Sequence, residues 1–271
     1  MSDKLSVEVL QLILENLDKA DLAAVCQVNK VCCACSQDIL YRDILVHVQE
    51  RPWLKACQTL AQSTHLAKRV RVFTLMSYRR IDSWESINKA LQNMTSLRSL
   101  ALQLIGQPDP PILEGCTFKL DSFSCLFPTV ETLQFLNNQP SITHITLCTL
   151  LHDNVEFGAT YLPNLTRVFV GFPFLPHLIP GRPVSEVEVI GPFQPGDSFE
   201  LGFFALSTAP IRKLNAPCNF LYPRPVQLFV PIFPSLVHLV INNVYSFNQV
   251  RFSLFSFYNH WMLSNYSIVW T

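Results

Sequence analysis

The chain has 271 residues, enough to bury one or two hydrophobic cores without disulfides or metals. Lysine plus arginine equals aspartate plus glutamate at 20 each, so net charge attracts the chain to neither nucleic acid nor an anionic membrane, and neither partner is expected. Charged residues are 15%, against about 25% in an average globular protein, and apolar residues are 49%. We therefore expect an unusually large exposed apolar surface and a partner that binds to it.

The start of the chain, MSDKLS, is polar and is not followed by an apolar core of signal-peptide length. No apolar run is long enough to predict a membrane-spanning helix. We therefore expect a cytoplasmic protein, a nuclear one, or both. In that reducing environment, most of the nine cysteines, which show no repeated spacing, are expected to be small buried apolar residues.

The first 44 residues carry the sharpest helical pattern. Apolar residues at helical spacing form one wide stripe, made of Leu5, Val9, Leu10, Ile13, Leu14 and Leu17. Asp18 can cap a second helix whose first turn contains Asp21, and a third helix is predicted from Val31 through Ile39. Three short helices bury little of their own surface, so part of the stripe is expected to contact a partner.

This stretch resembles the F-box of fungal-type F-box proteins. The matching residues include Leu5, Glu8, Asp21 with Leu22, and the closing run Ile39-Leu40-Tyr41-Arg42, whereas Ser6 replaces a usual proline and Val31 a usual aromatic residue. The resemblance implies that the helices bind the Skp-type adaptor of an SCF ubiquitin ligase. The residues that it assigns to adaptor binding are Leu5, Ser6, Glu8, Val9, Leu10, Ile13, Leu14, Leu17, Leu22, Val25 and Val28.

After the helices, the pattern predicts a strand at 44–48, a helix from Pro52 and a second strand near residue 72. In that second strand we expect Val70, Val72 and Thr74 on one face, with Phe73 on the other. A helix is then predicted over 84–92.

A repeated frame of apolar-x-x-apolar-x-apolar follows. Seven copies begin at Leu97, Leu120, Ile142, Leu165, Val184, Ile211 and Leu236. The steps of 23, 22, 23, 19, 27 and 25 residues lie inside the range of about 20 to 29 residues of a leucine-rich repeat. The frame predicts an α/β solenoid with one parallel strand per repeat and variable helices or loops between strands. Helices are expected at 129–138 and 198–207, and a loop or short 3-10 turn at 171–183.

Residues between the apolar frame positions are predicted to line up in rows on one exposed sheet face. The residues of these rows that we assign to binding a protein substrate are His144, Arg167, Phe169, Glu186, Glu188, Lys213 and His238. A solvated face on which opposite charges neutralise one another across strands is the alternative interpretation.

The predicted organisation is an F-box at 1–44, a degenerate leucine-rich-repeat region at 45–241 and an aromatic-rich tail at 242–271, read either as a cap or as poorly folded sequence. The predicted function is non-catalytic: a substrate-recognition subunit of an SCF-type ubiquitin ligase. A repeat scaffold without a ligase role is the alternative. The chain lacks phosphate-loop, nucleophile-elbow and HExxH motifs, so no catalytic residue and no cofactor are assigned.

A metal or redox protein is the third hypothesis, built on Cys26, Cys32, Cys33 and Cys35. A structural zinc site needs four ligands, usually in two pairs, and the sequence offers no second CxxC and no histidine pair. No metal is therefore expected.

Overall fold

The computed structural model describes residues 6–48, 53–77, 81, 84–104, 112–126, 128–148, 161–190, 201–217 and 231–242. The chain divides into two compact units, Met1–Ser122 and Phe123–Thr271. Within the described residues of each unit, the spatial order of the strands follows their order in the chain, and each pair whose register is described is parallel. The α/β class is as predicted. The predicted boundary at residue 44 is a different division and stays a prediction.

The first unit begins with three helices: α1 (Val7–Leu14), α2 (Lys19–Val25) and α3 (Lys30–Leu40). Each begins at a side-chain cap, because Ser6, Asp18 and Asn29 accept hydrogen bonds from backbone N–H groups three residues ahead, at 3.3, 2.8 and 2.9 Å. The predicted cap at Asp18 is therefore confirmed. Ser6 starts α1 by capping it, where a proline would do so by presetting the backbone.

The remaining elements of the first unit alternate strands and helices. They are β1 (Asp43–His47), α4 (Trp53–Gln62), α5 (Thr64–Ala67), β2 (Val72–Ser77), α6 (Trp84–Asn93) and β3 (Ser99–Leu104). The amide of Asn93 donates to the carbonyls of Leu60 and Ala61, at 3.1 and 2.8 Å, and so ties the end of α6 to α4.

The predicted faces of β2 are confirmed within the strand, where Val72 and Thr74 alternate with Phe73, but Val70 does not group with Val72. Phe73 and Leu75 are fully buried, whereas Val72 is 37% exposed. Val70, also fully buried, precedes the strand, so strict alternation does not extend back to it. Val70, Phe73 and Leu75 form a further copy of the repeat frame. The register places Phe73 beside Ile44 of β1 and beside Leu100 of β3, and Leu100 stands at the same frame position as Phe73.

The second unit continues the alternation with less regular connections. After β4 (Ser122–Cys125) come α7 (Val130–Leu136), β5 (His144–Leu147), β6 (Arg167–Gly171), a 3-10 turn (Phe172–Phe174), α8 (Leu175–Leu178), β7 (Glu186–Ile190), a 3-10 helix (Leu201–Leu206), β8 (Lys213–Pro217) and β9 (His238–Asn242). The predicted helix at 198–207 is a 3-10 helix from Leu201. The predicted loop at 171–183 contains a 3-10 turn and one α-helical turn, α8.

The repeat frame fills the core. Its apolar positions are buried in the copies beginning at Leu97, Leu120, Ile142, Leu165, Val184 and Ile211, as predicted, and half-buried in the copy beginning at Leu236. The carbonyl after a first frame position accepts two successive N–H groups of the next repeat. Thr143, Thr166, Ser185 and Arg212 supply such carbonyls in the second unit. The predicted tail, beyond Asn242, lies outside the described residues.

Candidate protein-binding surfaces

The apolar residues of α1 divide between the interior and the surface. Leu14 is 2% exposed and forms a small core with Leu22 and Cys35. Leu10, Leu17, Val25, Ile39 and Leu40 are partly buried against that core. On the remaining arc of α1, Val9, Leu12 and Ile13 are 44%, 64% and 49% exposed. Their spacing places these three side chains next to one another on the helix surface.

The structure therefore splits the residues predicted to bind the adaptor. Leu10, Leu14, Leu17, Leu22 and Val25 hold the three helices together. Ser6, Glu8, Val9, Ile13 and Val28 are exposed, and Leu5 lies outside the described residues.

Three further exposed apolar residues of these helices, Val7, Leu12 and Val31, were not among the residues predicted to bind the adaptor. Leu12 falls outside the stripe through Leu10 and Leu14. An apolar residue outside the stripe that packs the core could have indicated a second, exposed apolar surface. We define the exposed apolar set as Val9, Leu12, Ile13, Val28 and Val31.

The helices are fixed to the rest of the first unit by ion pairs. Arg42, just before β1, lies 3.1 Å from the carboxylate of Glu15. Arg69 pairs with Asp38 of α3 and donates a hydrogen bond to the carbonyl of Ala34 at 3.0 Å. These contacts orient α3 without using any residue of the exposed apolar set.

The second unit carries two rows of mainly polar side chains on the sheet face opposite the buried frame positions. Strand register aligns His144, Arg167, Glu186, Lys213 and His238 in one row. It aligns Thr146, Phe169, Glu188, Asn215 and Val240 in the other. All seven residues predicted to bind a substrate thus lie in these two rows, which we call the polar sheet face. Their role in binding stays a prediction.

Charges on the polar sheet face are incompletely matched. Lys213 Nζ lies 3.9 Å from Glu186 Oε2, at the edge of ion-pair range. Glu188 is half-buried, and its Oε1 atom is buried with no hydrogen-bond partner. Burial raises the pKa of Glu188, and the nearby Lys213 opposes that rise. Arg167 also lies beside Glu186 in register, so two cations and two carboxylates stand on this part of the face.

A Glu188→Gln variant should be more stable than the parent near neutral pH. Because the folded-state pKa of Glu188 is raised, its protonated form favours folding, and stability is lost as pH rises through that pKa. The difference should vanish below about pH 4, where the carboxyl is protonated in both states. Thermal unfolding followed by circular dichroism across pH measures it.

Glu131→Gln in the same unit is the matched control, with the opposite sign. Backbone hydrogen bonding at the start of α7, then the Thr129 hydroxyl, lowers the pKa of Glu131. Its ionised form favours folding, so the control should lose stability near neutral pH. Equal pH dependence in both variants would contradict the assignment of Glu188.

Burial suppresses ionisation of several cysteines in the described part of the chain. Burial raises the pKa of Cys57 and Cys148 to about 11 and that of Cys116 to about 12, so these thiols stay protonated at neutral pH. Burial, and then Cys33, raises the pKa of Cys26. Among the described residues, no three histidine, cysteine or acidic side chains are grouped to hold a metal ion.

Comparison with known proteins adds no family assignment, since no family model matches the chain and no curated protein is significantly similar to it. In the described part of the chain, every helix is too short or too polar to span a bilayer.

Proposed function

We propose that the chain is a substrate-recognition subunit of an SCF-type ubiquitin ligase. Its first three helices act as an F-box that binds a Skp-type adaptor. Its degenerate leucine-rich-repeat region recruits a protein substrate on the polar sheet face. The chain itself performs no chemistry; it raises the effective concentration of substrate lysines near the enzyme that transfers ubiquitin.

One observation carries the proposal: α1 remains apolar on the arc that its own core leaves exposed. Leu10 and Leu14 already satisfy the helix packing, so Val9, Leu12 and Ile13 are not needed to hold the three helices together. Exposed apolar residues grouped in this way are typical of a docking surface. The F-box resemblance of the same residues supports an adaptor as the protein that covers them.

Co-expression with a Skp-type adaptor tests the proposal. The full chain should capture the adaptor, and Val9→Asp with Ile13→Asp should weaken capture by about a hundredfold, because two apolar contacts become buried charges. Leu17 is left unchanged because it packs against the core of the three helices.

The matched control places two aspartates elsewhere, at Val130 and Leu206, which are 59% and 58% exposed in the second unit. This variant should capture the adaptor as the parent does. If the parent captures no adaptor, the ligase function is refuted and the repeat-scaffold alternative takes its place. Equal loss in both double variants would show a general effect of added charge and would also count against the proposal.

A further inference from the structure

We propose that the polar sheet face binds its protein partner by accepting a lysine or arginine side chain at Glu188, between Phe169 and Asn215. This inference rests on the proposed function, in which the face recruits a substrate. It goes further by naming the chemistry of the recruited segment, a basic side chain in an exposed stretch of the partner.

The backbone register brings the three residues together. Glu188 is the Cα partner of Phe169 on β6 and of Asn215 on β8. Neighbouring parallel strands lie about 4.8 Å apart, and residues in register project to the same face. An aromatic ring, a carboxylate and an amide therefore stand side by side in the middle of the face.

At Glu188 itself, a carboxylate without an ion-pair partner favours a cationic guest over an anionic one. Glu186 takes Lys213 as its ion-pair partner, and Glu188 makes no ion pair in the described part of the chain. An ammonium or guanidinium group supplies the ion-pair partner that Glu188 lacks, whereas a carboxylate or phosphate would meet the negative charges of Glu186 and Glu188.

The neighbours of Glu188 suit the rest of such a side chain. Lysine and arginine bury an aliphatic stem while keeping the charged head at a polar group, and Phe169 provides apolar surface for that stem. The half-buried position of Glu188 also makes the pairing stronger than at a fully exposed site, because water screens it less.

A fixed-position peptide library tests the inference. Short degenerate peptides that share one fixed central residue are offered to the full chain in its adaptor complex. The fixed residue is arginine, lysine, norleucine, glutamine or glutamate. Arginine and lysine pools should bind at least about threefold better than the norleucine pool, which matches the stem without the charge.

Glu188→Gln should remove the preference for arginine and lysine, and Glu131→Gln, a matched exposed change in the same unit, should keep it. Adaptor capture is measured on the same samples and should be equal for all three proteins. Equal binding of the norleucine and arginine pools, or a basic preference that survives Glu188→Gln, would overturn the inference. Loss of adaptor capture by the parent would instead count against the proposed function, so the two failures are distinguishable.

Discussion

Replacing Phe73 with alanine should lower the free energy of unfolding by about 3 to 5 kcal/mol. The Phe73 side chain is fully buried in β2, and its strand neighbours in register, Ile44 and Leu100, belong to the same core layer. Removing the ring removes buried apolar surface. It also leaves a cavity that the neighbouring strands β1 and β3 do not fill. Chemical denaturation followed by circular dichroism measures the loss.

The neighbouring Val72→Ala variant is the control, and it decides which face of β2 is interior. Val72 lies on the opposite face and is partly exposed, so its loss should cost about 1 kcal/mol or less, mainly through β-propensity. A larger cost at Val72 than at Phe73 would show that the strand has the opposite orientation, with its valine inside.

Arg182→Ala should lower the free energy of unfolding by about 3 kcal/mol or more. The Arg182 side chain is 2% exposed, and its Nε and Nη1 atoms donate to the carbonyls of Tyr161 and Pro180 at 2.6 and 2.8 Å. The substitution leaves these carbonyls without those donors and empties the space of a large side chain. Thermal and urea unfolding both report the effect.

The backbone around Arg182 depends on these contacts. Leu162, next to Tyr161, has a φ of 47°, a left-handed conformation that costs a non-glycine residue energy. Gly181, with a φ of 73°, makes the turn that leads into Arg182.

Arg167→Ala, an exposed arginine on the polar sheet face, is the matched control and should change stability by about 0.5 kcal/mol or less. Similar costs at the two arginines would contradict a structural role for Arg182. Burial lowers the pKa of Arg182, and the carbonyls of Tyr161 and Pro180 help to offset the cost of its buried charge.

Local sequence was sufficient where a structure depends on neighbours in the chain. The cap at Asp18 needs only a side-chain oxygen three residues before the N–H group that donates to it. The hydrogen bond from the Asp21 N–H group to Asp18 is present as predicted. The repeat frame was equally readable, because the copies beginning at Leu97 to Ile211 place a core layer on each strand.

Sequence failed where two patterns competed for the same residues. Alternation counted from Val70 grouped Val70 with Val72, but Val70 stands before the strand and is buried, as are the frame residues Phe73 and Leu75. On α1 the apolar arc is wider than one core can cover. Only the packing against α2 and α3 decides that Leu14 is interior while Ile13 remains exposed.

The sequence by itself determined the α/β class, the cap at Asp18, the repeat period and the rows of the polar sheet face, because these depend on short-range spacing and on strand periodicity. The tertiary structure alone decided that Arg182 is buried and that Glu188 is left without a donor. An arginine after a glycine turn and a glutamate in a strand look equally solvated in the sequence. Their burial and their partners depend on segments distant in the chain, and no local pattern records which segments those are.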